Sequence, residues 1–243
     1  NKKPLSKKII KEIFNFAKLN NIKFIDTAIS YKESENKIGY LKNKNQDQNI
    51  ITKISNMPSN TKNIKNWIIN NTILSCKRLK TNKLYGLLIH NTEDLKNKKK
   101  AKEIFKAFDF LIKKKIVKKI GLSIYDPKEL DLYIKDYNFK IVQTPMNIFD
   151  RRIAKTGWLK KLKENNIEIH VRSIFLKGLL LKDIDKIDIK FLKLKKKFIF
   201  FEKWAKINNF SKLEANIRFL KNFKEIDKII VGINDVLELR EIY

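Results

Sequence analysis

The chain has 243 residues, 43% of them apolar, and a formal net charge of +29; this length suits one α/β barrel or two small domains. No apolar run approaches the length of a membrane span, and the polar, basic first residues do not resemble a signal peptide. The single cysteine, Cys76, excludes an intrachain disulfide and fits a reducing compartment. We therefore expect a cytoplasmic protein with no membrane partner.

Strand-like and helix-like segments alternate along the whole chain. Short apolar runs predict strands at Lys23–Asp26, Ile50–Lys53, Leu84–His90, Ile120–Ile124, Ile141–Thr144, Ile167–Phe175 and Ile229–Ile233. Helical periodicity predicts helices at Leu5–Leu19, Asn63–Leu79, Ala101–Ile112, Pro127–Lys135, Trp158–Lys163, Phe191–Ile207, Lys212–Leu220 and Leu237–Ile242. The alternation indicates a parallel sheet with helical crossovers. Because no Pro/Gly/Ser-rich linker interrupts it, we expect one domain over residues 1–243. The widely spaced glycines contain no Gly-x-Gly-x-x-Gly, which argues against a doubly wound dinucleotide fold.

The large positive charge suggests that the protein could bind a polyanion such as a nucleic acid. Only six of the 55 basic residues are arginine, the residue favoured for bidentate phosphate contacts. The lysines are spread over nearly every segment together with Asn, Ile and Phe, whose codons are rich in A and T, so genome composition accounts for the bias. We predict no specific nucleic-acid partner. A polyanion-binding protein stays open as an alternative that clustered arginines beside exposed aromatic residues would support, and the sequence shows neither.

Three consecutive predicted strands end in an ionisable residue. These are Asp26, Lys53 and His90, and Tyr31 follows the first of them by five positions. In a parallel barrel the carboxyl ends of the strands converge on the face that carries active sites. The pattern therefore predicts a catalytic cluster. The second histidine, His170, lies in the middle of a predicted strand, and we interpret it as a core residue.

At these strand ends the chain resembles the aldo-keto reductase family. The matching fragments, in the order of the family, are FIDTA with Tyr31 and ESE-x-x-x-G over Glu33–Gly39, then ITK, LLIH, KKIGLSIY, VQTPMNIFDRR, VRSIFLKGLLL and IIVGIN. They run from Phe24 to Glu241. The resemblance implies a (β/α)8 TIM barrel.

One barrel strand has no counterpart in the predicted elements. No strand signal precedes Leu5, so we expect the first strand to lie upstream of Asn1. The barrel in this chain should then be an open sheet of seven strands. Its gap should separate the strand that ends at Asp26 from the strand that ends at Ile233.

The resemblance implies NAD(P)H-dependent reduction of an aldehyde or ketone, or the reverse oxidation of an alcohol. Tyr31 would be the general acid. Lys53 would lower the pKa of Tyr31 toward neutrality, and Asp26 would hold Lys53 in a buried salt bridge. His90 would donate a hydrogen bond to the carbonyl. A regulatory barrel of the same family, which binds the cofactor without catalysis, stays open as an alternative.

The resemblance also assigns residues to the cofactor, and we predict no metal site. Ser123 and Gln143 would hydrogen-bond the nicotinamide carboxamide, although pairing of polar groups at the barrel mouth is a structural alternative for both. Arg172 would lie flat on the nicotinamide where many family members stack an aromatic ring. Arg172 and Ser173, with the segment through Gly178, would line the pyrophosphate.

The last cofactor segment follows the final strand. Gly232 and Asn234 match a family site for phosphate and ribose. Members that prefer NADPH tend to have basic residues there, whereas this chain has Asp235 and Glu238. The choice between NADPH and NADH therefore stays open. The substrate is expected to be a small carbonyl compound, with a sugar-like one suggested by the VRSIFLKGLLL segment.

Overall fold

A computed structural model describes residues 5–41 and 48–243, without the side chains of residues 189, 190 and 192. Its sheet has seven strands in the order of the chain, and every neighbouring pair is parallel. The strands are β1 (Phe24–Asp26), β2 (Asn49–Ile54), β3 (Leu84–Ile89), β4 (Val117–Ser123), β5 (Ile141–Pro145), β6 (Glu168–Arg172) and β7 (Lys228–Ile229). The described sheet is that of a (β/α)8 barrel that lacks one strand, as the sequence predicted.

Helices cover the outer face of this sheet. They are α1 (Lys7–Leu19), α2 (Ser34–Leu41), α3 (Ile64–Arg78), α4 (Lys98–Lys113), α5 (Lys128–Tyr133), α6 (Arg152–Lys155), α7 (Trp158–Glu164), α8 (Lys195–Ile207), α9 (Lys212–Lys221) and α10 (Val236–Ile242). Short 3₁₀ turns occur at Thr92–Leu95, Leu179–Leu181, Ile184–Lys186 and Ile189–Leu194. Polar N-caps begin several helices; the Ser6 hydroxyl, for example, accepts a bond from the Ile9 amide at 3.3 Å. Within the described ranges, no helix combines the length and the apolar character needed to cross a bilayer.

The sheet is open between β1 and β7, whereas the helices meet there. No backbone pairing joins these two strands in the described residues, and only side chains approach, with the Lys228 ammonium 4.6 Å from the centre of the Phe24 ring. Outside the gap α1 contacts α10. The rings of Phe16 and Tyr243 lie 5.9 Å apart, and the Tyr243 hydroxyl donates to the Asn20 carbonyl at 3.4 Å. The helical layer therefore closes where the sheet does not.

Two predicted strands are shorter than the sequence indicated. The prediction Ile167–Phe175 is wrong beyond Arg172, because Ser173 has a left-handed φ of 59° that turns the chain out of the sheet. The prediction Ile229–Ile233 is also too long. The amide of Ile230 still donates to β6, but β6 ends at Arg172 and offers no partner to the residues that follow. The prediction Phe191–Ile207 begins as a 3₁₀ turn before α8.

Neighbouring residues toward the carboxyl ends of the strands pack in two different hydrophobic layers. Ile50 packs in the large layer between sheet and helices, whereas its neighbour Ile51 packs inside the curled sheet with Leu88 and Ile141. The same alternation places a polar set inside the sheet. Its members, on the faces shared with Ile51, Leu88 and Ile141, are Asp26, Lys53, Lys119, Ser123, Gln143, Glu168, His170 and Arg172. The interior is therefore polar at both ends.

An ionic cluster lies inside the sheet near the amino ends of the strands. Tyr85 and Lys119 each donate to one oxygen of Glu168 at 2.6 Å, and Nε2 of His170 lies 3.1 Å from the other oxygen. His170 is fully buried, as the sequence interpretation expected. Burial alone would raise the pKa of Glu168, but the hydrogen bonds from His170, Lys119 and Tyr85 outweigh it and lower this pKa to about 2. The carboxylate therefore stabilises the fold in its charged form.

Replacing this carboxylate by an amide should destabilise the protein in a pH-dependent way. We expect Glu168→Gln to lower Tm at pH 7. Because the folded pKa lies below the ordinary value of about 4.3, the stability that the carboxylate contributes is present above that value and is lost as the pH falls toward 2. The difference in Tm between the two proteins, measured by circular dichroism, should therefore shrink over this interval.

The matched control is Glu164→Gln, an exposed glutamate on α7 whose nearest ammonium, on Lys160, is 3.8 Å away. Exposed pairs of this kind contribute little, so its Tm should follow the parent at every pH. A difference for Glu168→Gln that stays constant down to pH 2 would assign its effect to packing and not to charge.

Candidate active site

The predicted catalytic residues lie at the carboxyl ends of the first three strands. Asp26 is the last residue of β1, Lys53 is near the end of β2, and His90 directly follows β3. Tyr31 lies in the connection between β1 and α2. Because these strands are parallel and adjacent, their ends share one mouth of the curled sheet.

A buried ion pair forms the floor of this mouth. Only 1% of the Lys53 side chain is exposed, and its ammonium donates to Asp26 at 2.6 Å and to the Thr27 carbonyl at 2.8 Å. The amide of Gln143 donates to the second Asp26 oxygen at 2.8 Å. Burial lowers the pKa of Lys53, while the charge and hydrogen bond of Asp26 act in the opposite direction. Both members of the pair are thus held in fixed positions.

Tyr31 and His90 lie above this pair. The Lys53 ammonium is 5.5 Å from the centre of the Tyr31 ring, and the Tyr31 and His90 rings meet edge to face at 5.9 Å. Nδ1 of His90 is 3.3 Å from the Ser30 hydroxyl. Tyr31 is 48% exposed, so a ligand can reach it. The structure therefore brings all four predicted side chains together.

The pKa of Tyr31 departs from the sequence expectation. Lys53 was expected to lower it, but burial and then the charge of Asp26 raise it, and the charge of Arg172 only partly opposes them. Asp26 neutralises Lys53, which removes the cation on which the expectation depended. The pKa of His90 is lowered by burial, then by Lys53 and Arg172. At neutral pH the phenol is therefore protonated and the imidazole is neutral.

Arg172 brings a further charge to the mouth. Its guanidinium donates to the Ile124 carbonyl at 3.0 Å and to the Ser173 hydroxyl at 3.3 Å, and it lies 4.5 Å from the centre of the Tyr125 ring. No carboxylate among residues 5–41 and 48–243 forms an ion pair with it. Its positive charge is therefore not compensated.

The other residues predicted to bind the cofactor lie on β4, on β5 and after β6. They differ in whether their polar groups are already hydrogen-bonded within the protein. Ser123 and Gln143 are paired in register and buried. Gln143 is committed to Asp26, whereas the Ser123 hydroxyl has no hydrogen bond within the described part of the chain. Ser173 and Gly178 bracket a turn of left-handed residues that follows β6. Ser123 and this turn are thus the groups left available to a ligand.

The segment after β7 contains two carboxylates, those of Asp235 and Glu238. The backbone amide of Asn234 donates to Glu238 at 2.7 Å, and its side-chain amide donates to both oxygens of Glu238 at 2.8 Å. Asp235 caps α10 by accepting from the Glu238 amide at 2.9 Å. Gly232 is exposed, and a methyl group added to it would meet nothing within 4 Å. The place predicted for a phosphate therefore carries negative charge.

A separate cleft of about 1440 Å³ opens in the helical layer, between α6, α8, α9 and the end of α10. Its lining includes Arg151, Arg152 and Arg218 together with the exposed Phe200 and Trp204. The sequence interpretation that arginines and exposed aromatic residues are not clustered is therefore wrong, because helices distant in the chain bring them together here.

The guanidinium groups of this cleft are largely satisfied within the protein. Arg152 pairs with Asp126 and Asp150 at 2.8 Å each, and Arg218 pairs with Glu214 at 2.8 Å. Paired arginines offer few donors to a phosphate.

In the described ranges, no group of three or more His, Cys, Asp or Glu side chains could hold a metal ion.

Comparison with known proteins identifies the family. The profile described as the aldo/keto reductase family matches residues 1–243. The chain belongs to the aldo/keto reductase family. The enzymes of this family are NAD(P)-dependent oxidoreductases, and the curled sheet with its polar mouth agrees with this membership. No curated protein sequence matched the chain.

Solved aldo-keto reductases share the fold. The holo form of AKR11C1 from Bacillus halodurans is 19% identical, with a TM-score of 0.82 over 98% of this chain and 82% of that chain. The glycerol dehydrogenase AKR11B4 from Gluconobacter oxydans is 19% identical, with a TM-score of 0.75 over 97% and 80%. A Gox0644 mutant in complex with NADPH is 19% identical, with a TM-score of 0.70 over 98% and 78%. At this level of identity the similarity shows the fold alone.

Two residues of the aldo/keto reductase mouth were missed in the sequence. Ser30 contacts His90, and Tyr125 lies against Arg172. Ser30 directly precedes Tyr31, and Tyr125 ends the KKIGLSIY segment that contains Ser123. Their adjacency to predicted site residues was the available signal.

The buried ion pair should respond strongly to removal of one partner. Asp26→Asn leaves the Lys53 ammonium buried without a counter-charge, so we expect a loss of about 3–5 kcal/mol in the free energy of unfolding. The double variant Asp26→Asn/Lys53→Met should recover part of it. Glu103→Gln, which breaks an exposed pair with Lys106, should cost less than about 1 kcal/mol. Urea denaturation measures the free energy of unfolding of all three variants. Equal losses for Asp26→Asn and Glu103→Gln would contradict the interpretation of Asp26 and Lys53 as a buried ion pair.

Proposed function

We propose that this member of the aldo/keto reductase family reduces a small aldehyde or ketone with NAD(P)H, and that Tyr31 is the general acid. The observation that carries the proposal is the cluster of Tyr31, His90 and the buried Lys53–Asp26 pair at one barrel mouth. A cytoplasmic location is part of the proposal, and the buried free thiol of Cys76 is compatible with it.

The residues around the mouth fit a nicotinamide dinucleotide. Ser123 is a buried residue of β4, and its hydroxyl forms no hydrogen bond among the described residues, which suits a bond to the carboxamide. The uncompensated guanidinium of Arg172 and the turn from Ser173 to Gly178 suit an anionic cofactor. The bound nicotinamide would supply the hydride. Gly232 leaves room for a ribose, but the carboxylates of Asp235 and Glu238 beside Asn234 do not suit a second phosphate.

The protonation states of the mouth favour reduction. Because the pKa of Tyr31 is raised, its phenol carries the proton that a carbonyl oxygen needs as negative charge develops on it. His90 is neutral, and with the Ser30 hydroxyl at Nδ1 its Nε2 can donate a hydrogen bond to the same oxygen. The reverse oxidation needs a tyrosinate, which is scarce at neutral pH. Lys53 and Asp26 position Tyr31 and do not exchange the proton.

A sugar-like carbonyl is the proposed substrate class. The structural relative AKR11B4 is named a glycerol dehydrogenase, and polyol oxidation is the reverse of this reduction. The second candidate function is a regulatory barrel that binds the cofactor without turnover. The measurements that follow separate the two.

Removing the Tyr31 hydroxyl should abolish most carbonyl reduction. We expect Tyr31→Phe to lower kcat by about 10²–10⁴-fold, the usual contribution of general acid catalysis, while cofactor affinity measured by fluorescence stays within about twofold. Tyr40→Phe makes the same change at an exposed position on α2 and should leave kcat unaltered. Activity of Tyr31→Phe within a few-fold of the parent would assign the proton to another group. Cofactor binding by the parent without turnover on any aldehyde, ketone or sugar would favour the regulatory barrel.

The carboxylates that follow β7 should disfavour the 2′-phosphate of NADPH. We expect the parent to bind NADPH no more tightly than NADH. Glu238→Gln removes one negative charge and should tighten NADPH binding by about three- to tenfold while leaving NADH unchanged. Glu241→Gln, an exposed carboxylate on the same helix, should change neither. A parent protein that binds NADPH tenfold more tightly than NADH would place these carboxylates away from the phosphate.

A further inference from the structure

The charges around the mouth do not cancel. Asp26 and Lys53 form one neutral pair. Tyr31 is protonated and His90 is neutral, because their pKa values are respectively raised and lowered. Arg172 has no carboxylate partner within the described ranges. Among these five groups, one positive charge is left without a partner, and it belongs to Arg172.

This charge is fixed in place. The guanidinium is held by the Ile124 carbonyl at 3.0 Å and the Ser173 hydroxyl at 3.3 Å, and the Tyr125 ring lies 4.5 Å from it. Arg172 is also only partly exposed and belongs to the inner face of β6. The side chain is thus bound to one wall of the mouth, and the charge does not swing into solvent.

Hydride transfer requires the nicotinamide to lie within the field of Arg172. The carbonyl oxygen must reach the Tyr31 hydroxyl, and the hydride donor must lie about 3–3.5 Å from the carbonyl carbon. The charge of Arg172 is close enough to act on Tyr31, Lys53 and His90. The nicotinamide ring is neutral when reduced and carries one positive charge when oxidised. The fixed cation therefore repels only the oxidised form.

We propose that Arg172 makes the site select the reduced cofactor over the oxidised one. The proposal rests on the proposed function, since it needs a nicotinamide at this mouth. Tighter binding of the reduced form also means that the oxidised cofactor leaves more readily after turnover. Together with the protonated phenol of Tyr31, this charge makes the site a reductase more than an alcohol dehydrogenase.

The test compares dissociation constants of the two redox states. The reduced and oxidised cofactors share the adenosine and both phosphates, so the ratio of their dissociation constants isolates the nicotinamide charge. Fluorescence measures NADH and NADPH, and isothermal titration calorimetry measures NAD⁺ and NADP⁺. In the parent the oxidised forms should bind about tenfold more weakly, the order expected for one partly screened charge.

Variants of Arg172 give the decisive comparison. Arg172→Met and Arg172→Gln should bring the ratio close to one, while Arg172→Lys, which keeps the charge, should preserve it within about threefold. The matched control Arg151→Met removes a cation from the outer cleft and should leave the ratio unchanged. If the Arg172 variants do not fold, the parent decides the question. Its ratio should fall as salt is raised to about 1 M, where the screening length is about 3 Å.

The other outcomes overturn either the selection or the proposed function. Equal weakening of both redox forms in Arg172→Met would assign the guanidinium to the pyrophosphate and overturn the selection. A parent ratio near one, or one that salt does not change, would overturn it as well. A parent protein that binds neither form would instead refute the proposed function.

Discussion

The geometry of the mouth depends on the need to neutralise one buried ammonium. Lys53 is 1% exposed inside the curled sheet, where an isolated charge is very costly. Asp26 supplies the counter-charge at 2.6 Å, and Thr27 supplies a carbonyl. Gln143 then satisfies the second carboxylate oxygen. These bonds join β1, β2 and β5 at the mouth. Pairing of the one buried ammonium therefore also fixes the relative positions of the strands beside which Tyr31 and His90 lie.

The same neutralisation determines what Tyr31 can do. A free ammonium near a phenol stabilises the tyrosinate, but the carboxylate of Asp26 cancels that effect and adds its own repulsion. The phenol therefore keeps its proton at neutral pH. Because Asp26 compensates the charge of Lys53, the positive charge at the mouth that has no ion-pair partner among the described residues is that of Arg172, at the end of β6. The proposed acid catalysis and the proposed charge selection thus depend on different groups, the protonated phenol of Tyr31 and the unpaired guanidinium of Arg172.

Much of this arrangement could be predicted from the sequence, because it depends on local patterns. Apolar runs that end in Asp26, Lys53 and His90 indicate both the strands and the shared mouth. Properties that arise between distant segments could not be predicted. The pKa of Tyr31 depends on burial and on the charge of the distant Arg172. The length of β7 depends on where β6 ends, because β6 supplies its backbone hydrogen-bond partners. The cleft around Arg151 and Arg218 likewise exists only after the helices have packed.

The position of Arg172 is determined by the register of its strand. Glu168, His170 and Arg172 occupy alternate positions of β6 and therefore share its inner face. The first two are anchored in the ionic cluster near the amino ends of the strands, where Glu168 accepts from Tyr85 and Lys119. A slip of one residue would move all three to the outer face and leave a carboxylate and a guanidinium in the apolar layer beneath the helices. The cluster that stabilises one end of the barrel thus also sets the charge at the other end, where the chemistry is proposed to occur.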